Sequence, residues 1–185
     1  MMWTTRPERP GDAAAVRAVV EAAFPTPAEA DLVDALREDA AWIPGLSVVA
    51  EAPDGQVAGY ALVTRCHLLD PRDAEADGDG GPGAAALALA PVAVAPGLQR
   101  RGAGGAAVRA VLAEAARRAA AAGGERLVVV LGHPEYYPRF GFGRASALGV
   151  GVAFEVPDEA LMALVLDGPG PVPSGTVRYP APFGV

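Results

Sequence analysis

Hydrophobic positions near the start of the chain recur with helical spacing. After Asp12, a typical N-cap residue, apolar side chains follow at intervals of three and four residues, at Val16, Val19, Val20, Ala23 and Phe24. Thr26-Pro27-Ala28-Glu29 has the pattern of a capping box with proline at the first helical position, and Leu32 and Leu36 then face inward. The pattern predicts a short strand over residues 4–9 followed by two amphipathic helices.

Longer apolar runs further along the chain predict strands. Residues 46–52 and 56–69 form two runs that are joined by the turn Pro53-Asp54-Gly55. The run from Ala84 to Ala95 carries no charge, which is typical of a strand buried on both faces. Pro91 lies in the middle of this run and has no N–H for a sheet ladder. We therefore expect the strand to bulge or to separate from a neighbour at that point.

A glycine-rich turn over residues 96–105 precedes a third helix, which we expect to end near Ala122. The buried stripe of this helix is predicted to consist of Val108, Val111, Leu112, Ala115 and Ala119. Residues 126–131 predict another buried strand, and the proline and glycine clusters after Phe142 predict two or three short strands. The acidic segment 70–83 is expected to be a surface loop, with acceptor recognition as the alternative interpretation. Strands and helices in this order predict an α/β fold.

Composition narrows the class of protein. The 185 residues are 51% hydrophobic and 20% charged, which suits one globular domain over residues 1–185. A net charge of −7 argues against binding to nucleic acid or to an anionic membrane surface. The single cysteine, Cys66, excludes an internal disulfide framework and a thiolate metal cluster. Because no long apolar segment is free of charges and glycines, we expect a soluble, cytoplasmic protein.

The glycine-rich turn is the segment with the most informative chemistry. Unpaired backbone N–H groups at a helix start, together with the helix dipole, favour a phosphate or pyrophosphate. A P-loop needs Gly-Lys-Ser/Thr, but the chain contains no lysine. Gly102, Gly104 and Ala107 match a dinucleotide-binding turn superficially, but the acidic residue Glu125 precedes the next strand instead of ending it. A turn that merely starts a helix is the simpler alternative.

Three segments resemble one family of enzymes. Gln99-Arg100-Arg101-Gly102-Ala103-Gly104 resembles the Gln/Arg-x-x-Gly-x-Gly/Ala signature of the GNAT family of N-acetyltransferases. The preceding Val92-Ala93-Val94-Ala95-Pro96 is similar to the strand that pairs with the pantetheine arm of acetyl-CoA in that family. Residues 132–142, with their His-Pro-Glu-Tyr-Tyr and Phe-Gly-Phe stretches, resemble a bacterial subgroup of these enzymes. The resemblance covers essentially the whole chain and is most specific from Leu87 to Phe142.

The resemblance implies the GNAT fold, a mixed central sheet with splayed middle strands flanked by helices. It also implies acetyl-CoA as co-substrate and no metal. The main chain near Val92, Ala93 and Val94 would bind pantetheine and polarise the thioester carbonyl. The pyrophosphate would be bound by residues of the glycine-rich turn, namely Arg100, Arg101, Gly102, Ala103, Gly104 and Gly105.

The implied reaction is direct acetyl transfer from the thioester to a primary amine of a small molecule or peptide. Transfer to a hydroxyl and use of a longer acyl chain stay open. A non-catalytic module that binds acyl-CoA is the alternative function. The expected partners are acetyl-CoA and the amine acceptor, and a homodimer is left open.

The resemblance also assigns candidate catalytic residues. Tyr137 aligns with the tyrosine that protonates the leaving CoA thiolate. Tyr136 is the fallback, because Pro138 is expected to bias Tyr137 away from helical backbone angles. The base that deprotonates the acceptor is left open between His133, Glu135 and water. His67 and Cys66 are assigned no role.

Overall fold

The computed structural model describes residues 2–70, 83–121 and 123–185. Most of the predicted loop over 70–83 therefore lies outside the described residues. The chain forms two compact units. The first unit comprises Met1–Thr64, Ala90–Glu114 and Pro182–Gly184; the second comprises Arg65–Leu89, Ala115–Ala181 and Val185. The prediction of a single domain stays a prediction. No helix in the described ranges has the length and apolar character needed to cross a membrane.

The helices and strands follow the predicted order closely. The helices are α1 (Ala13–Ala23), α2 (Ala28–Arg37) and α3 (Ala103–Ala120). The strands are β1 (Thr4–Pro7), β2 (Ser47–Glu51), β3 (Val57–Leu69), β4 (Ala84–Val94), β5 (Leu127–Leu131), β6 (Gly143–Arg144), β7 (Val150–Val152), β8 (Leu161–Val165) and β9 (Gly175–Arg178). Four strands follow Phe142, so the prediction of two or three was wrong. Strands as short as β6 and β7 show no apolar alternation by which a pattern could find them.

In the first unit, the two N-terminal helices pack against antiparallel strands. β1 pairs with β2 and β2 with β3, and β4 is the next neighbour of β3. The predicted apolar faces are confirmed at Val16, Val19, Val20 and Leu36, which are buried, whereas Ala23, Phe24 and Leu32 are half-buried and pack against the same cluster. Val16, Val19 and Val20 of α1 and Ala30, Val33 and Leu36 of α2 pack in one cluster with Val49, Tyr60, Leu62 and Ala93.

Neither predicted helix cap forms a side-chain hydrogen bond to its helix, although Asp12 is the N-cap residue of α1 as predicted. The Asp12 carboxylate accepts a hydrogen bond from the Arg9 N–H (2.7 Å) and forms an ion pair with Arg6 (2.6 Å), and it accepts none from the N–H groups of α1. The hydrogen bond from the Arg6 guanidinium holds the pKa of Asp12 below its usual range. A charged donor stabilises the ionised carboxylate more than a backbone N–H does. The N-cap of α2 is Pro27, one residue later than the capping box requires, and no side chain caps this helix.

In the second unit, parallel and antiparallel pairing occur together. β5 is parallel to β4 and antiparallel to β8, and β8 also pairs with β6. β9 pairs with the end of β3 in an antiparallel ladder and with β7 in a parallel one. The core is formed by Cys66, Leu68, Ala86, Ala88, Leu127, Val129, Ala145, Val150, Leu161, Ala163 and Val177. A mixed α/β sheet with flanking helices is thus confirmed.

The ladder between β4 and β5 is short. Leu87 pairs with Val128 and Ala88 with Val129, and no further pair joins these two strands within the described residues. β5 nevertheless continues to Leu131 and pairs with β8 as far as that residue. The predicted end of pairing near Pro91 is therefore confirmed, and the Ala90–Pro91 peptide is cis. That the interruption receives pantetheine stays a prediction.

Candidate active site

The turn before α3 contains two residues with left-handed backbone angles. Arg100 has φ +61° and Gly102 has φ +95°. Gly102 suits its position because glycine adopts such angles without steric cost. Turns that include left-handed residues can direct successive N–H groups to one side, which creates a concavity for an anion. The predicted glycine requirement at 102 therefore has a backbone cause.

The backbone donors of this turn are open. The first helical hydrogen bond of α3 runs from the Ala106 N–H to the Gly102 carbonyl oxygen (2.9 Å). The N–H groups of Ala103, Gly104 and Gly105 come before it, where a helix has no internal acceptors. In the part of the chain that the structure describes, no backbone carbonyl accepts from the N–H groups of residues 100–105. The first turn of α3 has no acidic side chain that would repel an anion.

Three contacts between described residues hold the turn in place. The Trp3 indole Nε1 donates to the Arg101 carbonyl oxygen (2.8 Å), and the Gln99 Nε2 donates to the Val94 carbonyl oxygen (3.3 Å). A Cβ on Gly59 of β3 would lie 3.2 Å from the backbone carbon of Ala103, so the start of α3 packs closely on that strand. Sequence reasoning missed Trp3 and Gly59, because neither belongs to a local pattern.

The end of β4 lies in the same unit as the turn. Ala93 is buried in the core beneath α1 and α2, whereas Val92 and Val94 on either side of it are half-buried. The structure thus places Val92–Val94 in the first unit with the predicted cofactor-binding residues Arg100–Gly105.

Tyr137 lies in the second unit, within a cluster of aromatic rings. Its side chain is buried, with ring centroids of Tyr136, Phe142 and Phe140 at 5.1, 5.8 and 6.4 Å. Burial, and to a lesser extent Tyr136, raises the pKa of the Tyr137 phenol to about 12. A phenol in this environment keeps its proton at neutral pH and can serve as an acid.

The backbone around Tyr137 differs from the expectation. Tyr137 begins a 3-10 helix, Tyr137–Phe140, with Pro138 as its second residue. The expected bias of Tyr137 away from helical structure was therefore wrong, because the first turn of a helix tolerates proline. Gly132 makes room for the ring, since a Cβ there would lie 2.4 Å from Cε2 of Tyr137.

The other candidate groups differ in burial. His133 and Glu135 are exposed, and the His133 carbonyl oxygen accepts from the Tyr136 N–H at 3.0 Å. Burial and then Glu125 raise the pKa of the Cys66 thiol to about 12. Burial and the nearby Arg178 and Arg65 lower the pKa of His67. A general base therefore stays a prediction for His133 and Glu135.

The structure is thus an α/β protein with a mixed sheet, a shortened β4–β5 ladder and open backbone donors at the start of α3. Residues 14–142 match the model of the acetyltransferase (GNAT) family. The chain belongs to this family and is an acyltransferase.

Relatives and solved structures agree with this assignment. The chain is 34% identical over 149 residues to the uncharacterized N-acetyltransferase YjhQ of Escherichia coli K12, covering 80% of this chain and 74% of that protein. A GNAT family N-acetyltransferase (YhbS) from Escherichia coli in complex with CoA has a TM-score of 0.80 at 26% identity, covering 99% of this chain and 92% of that one. A GNAT family acetyltransferase from Brucella melitensis in complex with acetyl-CoA has a TM-score of 0.72 at 33% identity, covering 98% of both chains. These similarities confirm the predicted fold.

Proposed function

We propose that this protein transfers an acetyl group from acetyl-CoA directly to a primary amine of a small molecule or peptide. The observation that carries the proposal is the row of open backbone N–H groups from Arg100 to Gly105 at the start of α3. Diphosphates bind at such positions because the donors and the helix dipole both favour negative charge. The CoA and acetyl-CoA complexes of two similar proteins support the same interpretation.

The residues of the turn fit the diphosphate of acetyl-CoA. Arg100, Arg101, Gly102, Ala103, Gly104 and Gly105 would bind the two phosphates through their backbone. Main-chain groups of Val92, Ala93 and Val94 would bind the pantetheine arm where the β4–β5 ladder has ended. N–H groups aimed at the thioester oxygen would stabilise the negative charge that develops there during transfer.

The transfer itself requires one bond to form and one to break. The amine nitrogen attacks the thioester carbon, the C–N bond forms, and the C–S bond to CoA breaks. The Tyr137 hydroxyl would give its proton to the leaving thiolate, and the raised pKa of the phenol keeps this proton available at neutral pH. The amine gives up its own proton to His133, to Glu135 or to water.

The test of cofactor binding uses Gly105. Its φ is not positive, and the atoms nearest to a Cβ there belong to the guanidinium of Arg109, at 3.3 Å. Gly102→Val is less informative, because φ +95° would strain any side chain. Gly105→Glu adds a carboxylate that suits the first turn of a helix and repels a bound diphosphate, and Gly105→Gln is the neutral control of the same shape.

We expect calorimetry to show CoA binding to Gly105→Glu about tenfold or more weaker than to Gly105→Gln. Thermal unfolding should show that both variants are folded. Equal CoA affinities in two folded variants would contradict the assignment of this turn to the diphosphate.

A further inference from the structure

The Trp3 indole contacts the turn from a distant part of the sequence. Its Nε1 donates to the Arg101 carbonyl oxygen at 2.8 Å, across 98 residues of sequence. The indole also borders the next residue, since a Cβ on Gly102 would lie 3.6 Å from Nε1. Trp3 belongs to none of the segments that bind acetyl-CoA in the proposed function.

This hydrogen bond acts on the peptide between Arg101 and Gly102. A trans peptide is planar, and its C=O and N–H point in opposite directions. Donation to the Arg101 oxygen therefore also sets the direction of the Gly102 N–H. Gly102, the second residue of this peptide, has a left-handed φ, as does Arg100 one residue before the peptide, and in turns the orientation of the central peptide is what separates one turn type from another.

We propose that Trp3 is a positioning residue for the diphosphate of acetyl-CoA. By holding the Arg101 carbonyl oxygen on its own side, Trp3 turns the Gly102 N–H the other way, toward the space that the diphosphate occupies. This inference rests on the proposed function, because it assumes that the turn binds a diphosphate. A residue that only attached the N-terminal segment to the fold would affect all ligands alike.

The experiment compares CoA with S-acetylpantetheine. Both contain the pantetheine arm, but only CoA carries the diphosphate with its adenosine 3′-phosphate, and only S-acetylpantetheine carries the acetyl group. Trp3→Phe keeps an aromatic ring and removes the N–H, and Trp42→Phe makes the same chemical change elsewhere in the first unit. Binding of both ligands is measured by calorimetry for wild type and for each variant, and thermal unfolding shows which variants are folded.

We expect Trp3→Phe to weaken CoA binding by about fivefold, the effect of one neutral hydrogen bond, and to leave S-acetylpantetheine binding unchanged. Trp42→Phe should change neither. Unchanged CoA binding in folded Trp3→Phe, or an equal loss for both ligands, would overturn the positioning role. A wild-type protein that binds CoA no better than S-acetylpantetheine would instead overturn the diphosphate assignment itself.

Loss of folding in Trp3→Phe would be met by a second variant. Replacement of the Trp3 indole by a benzothiophene preserves the shape of the side chain and removes only the N–H donor. The same selective loss of CoA affinity is expected, and an unchanged affinity would overturn the proposal.

Discussion

At the scale of single residues, burial changes the acidity of Tyr137, the proposed acid. Its phenol lies among three aromatic rings, and its pKa is raised to about 12 from an ordinary value of 10. The folded protein therefore holds this proton more tightly than the unfolded chain does. The contribution of this phenol to the free energy of unfolding is therefore fully present below pH 10 and is lost as the pH rises toward 12.

If Tyr137 acts as proposed, Tyr137→Phe should lower turnover by roughly 100-fold or more, because it removes the hydroxyl that would protonate the leaving thiolate. The ring and its packing are kept, so CoA affinity and thermal stability should change little. Thiol release from acetyl-CoA with a panel of amines measures turnover, and calorimetry measures affinity. In wild type, the rate should not decline through loss of this proton below about pH 10. Unchanged turnover in Tyr137→Phe, where chemistry is limiting, would remove Tyr137 from the mechanism.

Gly132→Ala is a second test of the role proposed for the Tyr137 hydroxyl. The added methyl would lie 2.4 Å from the Tyr137 ring, which must then move. Turnover should fall by about tenfold or more in the wild-type background, since misplacement of a reacting group is costly. In the Tyr137→Phe background, Gly132→Ala should lower stability without a further loss of turnover. A further loss would show that Gly132 acts by a route other than the hydroxyl.

At the scale of elements, α2 is attached to the sheet by a buried polar group. The Arg37 guanidinium donates twice to the Glu8 carboxylate, at 2.6 and 3.0 Å, and the Glu8 side chain is only 6% exposed. Ser47 of β2 also donates to this carboxylate, and the Tyr60 hydroxyl of β3 lies 3.3 Å from it. The carboxylate thus joins a helix and two strands of the first unit.

Arg37→Ala should lower the free energy of unfolding by about 2 to 3 kcal/mol, because it leaves a buried carboxylate without its cation. Arg17→Ala is the matched control, since Arg17 also pairs with acidic residues but at an exposed site on α1. Its loss of stability should be clearly smaller. Urea unfolding of both variants measures the difference, and equal losses would show that burial of Glu8 contributes nothing.

The sequence predicted elements better than it predicted their ends. The stripes of α1 and α3 could be recognised because burial repeats with the period of the helix, as at Val16, Val19 and Val20. Asp12 was predicted as the N-cap residue of α1, but the partner of its carboxylate could not be predicted. Its carboxylate pairs with Arg6 of β1, and only the folded arrangement brings that partner near. Charge and tertiary contact decide helix ends, whereas local pattern decides helix faces.

At the scale of the whole molecule, family and fold could be predicted because the motifs follow one another along the chain. The strand, the glycine-rich turn, the helix and the next strand are all local features. The contacts that support the candidate site are not local. Trp3 and Arg101 are 98 residues apart, and the fit of Tyr137 over Gly132 depends on how a turn closes. No periodicity in the sequence encodes either contact.

Burial of the chain's one thiol has a practical consequence for measuring turnover. Cys66 is 1% exposed and its thiol pKa is raised to about 12, so thiolate is scarce at neutral pH and reagents are kept out. Each acetyl transfer releases one CoA thiol. A chromogenic disulfide added during the reaction should therefore react with the released CoA thiol and not with the native protein, so that its colour measures turnover. In urea the same reagent should react with one thiol per chain. The rate of its slow reaction with the native protein would measure how often β3 opens locally.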